Sequence, residues 1–196
     1  MQINTVKQAL DFIKTAGRAE DCPLNLYLGA LAFAKLFHPD ADIAKYVLHM
    51  DQMVEKLRHL YQESLDRGGI ESVELQHHCL VQVVKEDFMY AGDEDDYSNP
   101  KNADIIQVVD RRRGLPVALG IIYLHLAREM EWDAYGLNFP GHFLFGLRFD
   151  GESLFIDPFR DGQDVNAADM REILKIIAGQ TAELSHDYYR PTDDHA

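Results

Sequence analysis

The chain has 196 residues, 46% of them hydrophobic, and 33 acidic against 19 basic side chains give it a net charge of -14. That size and apolar content suffice for one sizeable core, while the negative field repels phosphate backbones and anionic lipid surfaces and so argues against nucleic-acid and membrane partners. Cys22 and Cys79 are too few for a disulfide framework or a Cys-rich zinc site, and neither a signal-peptide pattern nor an apolar run of about 18 residues is present, so a soluble cytoplasmic protein is expected.

In chain order, helices come first. "TVKQALDFIKTAG" and "LNLYLGALAFAKLF" read as helices, closed by Gly17 and by the His38-Pro39 break. Between Asp42 and Arg67, Ile43, Val47, Met50, Val54, Leu57 and Tyr61 recur at steps of four and three, which places them on one helix face ending at Gly68-Gly69. Ser72 to Tyr90 reads as a further helix. "GDEDDYSNPKN", Gly92 to Asn102, is polar, acidic and broken by Pro100, as a loop would be, and Asp104 to Arg112 resumes as a short helix. Leu115 to Met130 is apolar nearly all the way round, which predicts a helix buried in the middle of the domain, with Pro116 in its first turn, where the missing N–H costs nothing.

From Ala134 the period changes. "AYGLNF", "HFLFGLRF" and "SLFIDP" are short aromatic-rich runs separated by the turn dipeptides Pro140-Gly141 and Asp150-Gly151, which predicts three antiparallel strands, with His142 opening one and Asp157 closing the next. Asn166 to Asp169 opens an amphipathic helix with Met170, Ile173, Ile176 and Ile177 on one face and Gly179 beyond its end. The expected architecture is α+β within a single domain over 1–196. It comprises a helical lobe over 1–92, a core helix and antiparallel strands over 93–165, and a C-terminal helix over 166–179.

A buried helix N-terminus facing a sheet is a place where a cysteine is held as thiolate, because the positive end of the helix favours the anion. A histidine and an orienting carboxylate from adjacent strands would complete such a site. His142 and Asp157 are the candidates for these two roles.

"DRRRGLPVALGIIYLHLAREMEW", "NFPGHFLFGLRFDG" and "FIDPFRDGQ", together with "KEDFMYAGDEDDYSNPKNADIIQVV" upstream, resemble the SirB-type branch of the transglutaminase-like superfamily over roughly residues 20 to 165. The resemblance implies a papain/transglutaminase-like core, a buried central helix packed on a small antiparallel sheet, with a helical N-terminal lobe. In such a core, helix Cys, strand His and strand Asp perform acyl transfer or amide hydrolysis. Laid on the superfamily's G-x-C helix start, Gly114-Leu115-Pro116 puts Pro116 in the nucleophile's place, and a pyrrolidine ring cannot attack a carbonyl. His142 and Asp157 are then a relic dyad beside a vacated position at Pro116. Arg113, Asn138 and Gly141, which lie within the matching motifs, are the expected binding residues.

The resemblance further implies that the polar end "AELSHDYYRPTDDHA", which lacks a capping element, falls about where a helical, tetratricopeptide-like segment begins, so a truncated chain is expected. The implied function is that of a catalytically incompetent domain binding a peptide or protein. The alternative is a residual hydrolase or transferase in which His142 and Asp157 act with water, a bound ion or a displaced thiol such as Cys79.

Other readings compete at several positions. His142 can be a structural strand-end histidine, Asp157 a turn carboxylate accepting backbone N–H bonds, and Cys22 and Cys79 small buried hydrophobes. Asp93 to Asp96 lacks the glycine that a calcium loop needs at its sixth position, where Ser98 stands, and reads as a solvated loop. His77-His78, and His38 with Asp40 and Asp42, have no zinc frame. Arg111, Arg112 and Arg113 read as ion-pair partners of the excess carboxylates, with an anion site at the helix start as the minor alternative. No metal and no cofactor is expected.

Overall fold

The computed structural model describes residues 3–16 and 24–192; the expectations placed on Gly17 and Cys22 lie outside them. Helix α1 (Val6–Ala16) and helix α2 (Leu26–Phe37) come first, the second capped by the Asn25 side chain, which accepts the Leu28 N–H at 2.9 Å. Helix α3 (Ile43–Asp66) starts on Asp42 and buries Ile43, Met50, Val54 and Leu57, with Val47 and Tyr61 half-buried on the same face. The four-and-three spacing is therefore the core face of this helix.

Helix α4 (Val73–Val81) is capped by Ser72, but the α geometry does not reach Tyr90 as the sequence suggests. Gln82–Asp87 widens into a π turn, in which the Phe88 N–H donates to the Val83 carbonyl at 3.0 Å. Met89 then takes a left-handed φ of 62°, which no right-handed helix can continue through. The chain turns out into a short strand, β1 (Ala91–Gly92), where a loop was expected.

After a 3₁₀ turn at Pro100–Asn102, helix α5 (Ile105–Arg111) ends at Arg112, whose φ of 60° reverses the chain into β2 (Arg113–Gly114). β1 and β2 pair in parallel. Helix α6 (Pro116–Glu129) follows, with Leu119 1% exposed and Ile122 and Leu126 fully buried, so it is the central helix. Val117 alone of its first turn is well exposed.

The main sheet has four strands, β3 (Asp133–Gly136), β4 (Phe145–Phe149), β5 (Glu152–Asp157) and β6 (Gln163–Asp164), in that order and antiparallel throughout. Three strands were expected; β6 is too short and too polar to leave an alternating pattern. Asp150 and Gly151 take φ values of 48° and 83°, the two left-handed positions of a type I′ hairpin, between Phe149 and its partner Glu152.

Successive strand residues face opposite sides. Ala134, Phe145, Leu147 and Ile156 join the large core around α6, while Tyr135, Leu144 and Phe155 join a smaller one beneath helix α7 (Ala167–Ala178). The sheet is thus covered on both faces. Helix α7 has the capping box of Asn166 and Asp169, yet it buries Met170, Ile173 and Leu174 and leaves Ile176 76% and Ile177 43% exposed. This corrects the expected face, since Leu174 follows Met170 by four and Ile176 has rotated to solvent. The C-terminal stretch is also tied down. His186–Tyr189 forms a 3₁₀ turn capped by Ser185, Tyr188 and Tyr189 pack on Phe139 and Phe155, and Leu137 bridges to Pro191.

Candidate functional site

His142 and Asp157 meet. The imidazole Nε2 lies 2.9 Å from Asp157 Oδ2, and the Asp157 side chain is fully buried. The second carboxylate oxygen accepts the backbone N–H groups of Phe159 at 2.9 Å and Arg160 at 3.3 Å. Asp157 closes β5, as expected, and it is both a turn carboxylate and a histidine partner. With the carboxylate ionised, Nε2–H donates to it and the lone pair of a neutral ring sits on Nδ1, the nitrogen left to work on another group. His142 does not open a strand: it occupies the bend after Gly141, three residues before β4. Its side chain is 15% exposed.

What fixes this bend is the next residue. The Phe143 ring covers Gly120, in the middle of α6, so closely that any Cβ at Gly120 would collide with it. Gly120 lies four residues after Pro116, hence one turn further along the same helix face. On the other side, Gly141 has a φ of 69°, and a Cβ there would stand 2.6 Å from Ile177 Cγ2 of α7. The histidine segment is therefore held between two helices, one on each face of the sheet.

Pro116 is buried at the first position of α6, and its N-cap, Leu115, offers no side chain to the free amides. Leu115 N–H donates to the Asn102 carbonyl at 2.9 Å. Asn102, itself fully buried, accepts from Arg111 Nη1 at 2.8 Å, and Arg111 Nη2 reaches Asp93 Oδ2 at 2.8 Å. Burial opposes the Asp93 charge, but hydrogen bonds from Arg111 and Asn102 outweigh it and hold the carboxyl below its usual range. Asp93 thus departs from the solvated loop expected of Asp93 to Asp96: it is 8% exposed, and the three residues after it stay exposed. Arg111, Asn102 and Asp93 together brace the entrance to the central helix.

The other two arginines have no ion-pair partner among the described residues. Arg112 lies over the Tyr90 ring, 4.8 Å from its centroid, and donates to its hydroxyl at 3.1 Å. Arg113 is exposed and donates to the Met89 and Arg112 carbonyls at 3.2 and 2.9 Å. It also lines a cleft of about 510 Å³ together with Gly92, Glu94, Phe159, Arg160 and Gln163. The cleft adjoins the dyad through Phe159 and Arg160 without including His142 or Pro116 in its walls. Asn138 is exposed, and its backbone N–H donates to the Arg190 carbonyl at 3.0 Å. Phe159 and Arg160 were not singled out from the sequence, although "IDPFRDG" contains both.

Cys79 is fully buried in α4. Burial pushes its thiol pKa up, against a hydrogen bond from Ser64 of α3. It faces the helical lobe. Among the described residues, no three His, Cys, Asp or Glu side chains form a metal-binding group, and no helix is long and apolar enough to cross a membrane.

The chain is 33% identical over 153 residues to the UPF0162 protein of Xylella fastidiosa, covering 78% of this chain and 52% of that protein. The UPF0162 protein of Vibrio cholerae is 25% identical over 173 residues, which is 87% of this chain and 61% of that one. Mouse F-box only protein 21 is 28% identical over 116 residues, 54% of this chain and 18% of that protein. The chain spans about half the length of the first of these relatives. No solved structure matches it. The model of the transglutaminase-like superfamily matches residues 44–196, a stretch that holds the central helix, the whole main sheet, and both His142 and Asp157. By that match, the chain belongs to the transglutaminase-like superfamily.

Proposed function

We propose that this domain keeps the histidine–carboxylate half of an acyl-transfer site without its nucleophile and works as a peptide- or protein-binding, regulatory module in the cytoplasm. Pro116 carries the reading: the first turn of the central helix, where a thiol would be held as thiolate, begins with a pyrrolidine ring. The only described cysteine, Cys79, is sealed in the helical lobe, which supports the same conclusion. In this proposal Pro116 marks the vacated position, His142 and Asp157 are the surviving dyad, and Arg113, Asn138 and Gly141 belong to the binding surface. We further propose that the chain belongs to the SirB-type branch, in which such a domain is joined to a tetratricopeptide-like helical segment.

The test is an assay of amide hydrolysis, deamidation and transamidation on the purified chain, with and without iodoacetamide. No turnover is expected in either arm. Turnover that disappears in Cys79→Ser overturns the proposal. A second reading is favoured by the 2.9 Å dyad, in which Nε2 is the ring nitrogen that meets Asp157: a residual hydrolase that uses water. Its signature is turnover that survives iodoacetamide and is lost in His142→Ala.

A further inference from the structure

A second cleft, of about 540 Å³, opens at the far end of the sheet from His142. The ladder between β4 and β5 runs from Phe145 and Ile156, beside the dyad, to Phe149 and Glu152 at the hairpin tip. Four steps of about 3.3 Å put some ~13 Å between the two ends. The cleft is therefore separate from the site described above, and nothing argued here depends on that site.

Three distant parts of the chain build it: the α3–α4 region, the end of α6, and the β4–β5 hairpin tip. Tyr61 and Trp132 form an aromatic corner, edge to face, with ring centroids 5.0 Å apart. Gln76 lines the cleft although it is only 2% exposed, and its Oε1 has no hydrogen-bond donor among the described residues. Folds keep few buried carbonyl oxygens unserved, because a donor lost from water is not replaced.

The rim is acidic. Glu71, Glu131 and Asp150 are exposed and pair with no cation among the described residues. Asp133 is matched by Arg148 at 3.4 Å, and that guanidinium is committed to the Tyr135 ring, 4.9 Å from its centroid. An apolar aromatic wall, an unserved acceptor and unmatched carboxylates call for a cation that has a flat face and several N–H donors. An anion is repelled by the rim, and a neutral donor leaves the carboxylates unused.

We infer that this cleft binds a guanidinium group, stacked on Trp132 with an N–H directed to Gln76 Oε1 and others to the Glu71 and Glu131 carboxylates. A guanidinium presents five donors in one plane, stacks on aromatic faces and is more weakly hydrated than an ammonium, so it enters such a cleft with less loss of solvation. The source is an arginine side chain of a polypeptide or a free guanidino compound; the chemistry is the same for both.

Trp132 is the only tryptophan in the chain, so its emission reports on this cleft alone. We would titrate the intact chain with propylguanidinium, propylammonium and propylurea. A saturating change is expected with propylguanidinium, affinity roughly tenfold weaker with propylammonium, and no saturation with the neutral urea, the gap being that of a charge-assisted hydrogen bond. Gln76→Met should weaken propylguanidinium about tenfold or more.

The exposed double variant Glu71→Gln/Glu131→Gln leaves the core intact. It should weaken binding about fivefold or more and flatten its salt dependence. Tighter binding of acetyl-Gly-Arg-Gly-amide than of agmatine assigns the site to a polypeptide arginine, and the reverse order to a free guanidino compound. No saturable signal with propylguanidinium, equal binding of propylurea, or unaltered affinity in the double variant overturns the inference.

Discussion

The Phe143 ring occupies the space that a side chain on Gly120 would need, so the residue after His142 is keyed into the central helix. The position of the imidazole therefore depends on a glycine one turn from Pro116. Gly120→Ala should push Phe143 aside and cost about 1–3 kcal/mol, as overpacking does. Gly29 of α2 is the control, because a Cβ there meets nothing within 4 Å. Gly29→Ala should raise stability by about 0.5–1 kcal/mol through helix propensity alone. Urea unfolding of both variants checks the pair, and a Gly120→Ala protein as stable as the parent would free His142 from this anchor.

The central helix gives a second prediction. Leu119 is 1% exposed and Leu126 fully buried. Truncating either to alanine should cost about 2–5 kcal/mol, measured by denaturant unfolding. A loss well under 1 kcal/mol at both would place α6 at the surface.

The proposed vacancy at Pro116 can be probed directly. Pro116→Cys puts a thiol in the first turn of a buried helix, and if Nδ1 of His142 faces it, helix terminus and imidazolium both favour thiolate. The variant should react with iodoacetamide at pH 6 much faster than Cys79, whose pKa is raised by burial, and His142→Ala should remove most of the difference. A folded variant whose accessible thiol titrates near the free value of about 8.5, with or without His142, would sink the assignment of Pro116.

Asp157 carries more than the histidine. Its carboxylate also receives two backbone N–H groups, so Asp157→Ala strands buried donors as well as the ring. A loss of about 2–4 kcal/mol is expected, with faster amide exchange at Phe159 and Arg160. Unchanged exchange there would mean that the turn stands without the carboxylate.

His49 supplies a pH dependence away from both clefts. Burial, with the nearby Arg112 charge, pushes its pKa down to about 4 from the usual 6.5, and its Nε2 lies 2.9 Å from the Tyr90 hydroxyl. Because the unfolded chain binds this proton more readily, the contribution of His49 to stability is present above pH 6.5 and is lost as pH falls from 6.5 towards 4. Denaturation midpoints at pH 7 and pH 4.5 should drop less in His49→Gln than in the parent.

Where the sequence was informative, the reason is local. The face of α3 and the burial of α6 follow from the spacing and density of apolar residues, and the 150–151 hairpin from a dipeptide that tolerates left-handed φ. Both members of the dyad were legible through their motifs, but not the bend that carries His142, because "HFLFGLRF" alternates no differently whether pairing starts at His142 or at Phe145. β1, β2 and β6 are two residues each and leave no period to detect. The exposure of Ile176 and the burial of Asp93 were set by partners far along the chain, α7's docking surface and Arg111, which no window of neighbouring residues contains.

The helical lobe and the sheet are also stitched by a bond between residues 85 positions apart: a His77 ring nitrogen lies 2.7 Å from the Gly162 carbonyl in the turn before β6. One continuous hydrophobic cluster reaches from Ile3 to Ile156. In kinetic terms, neither half can complete the large core alone, and contacts of such sequence separation form only after a large loop-closure entropy has been met. Folding is then expected to be slow and all-or-none, with amides in α4 and β5 exchanging through the same global opening, and a chain cut after Gly92 should yield two fragments that fold only together.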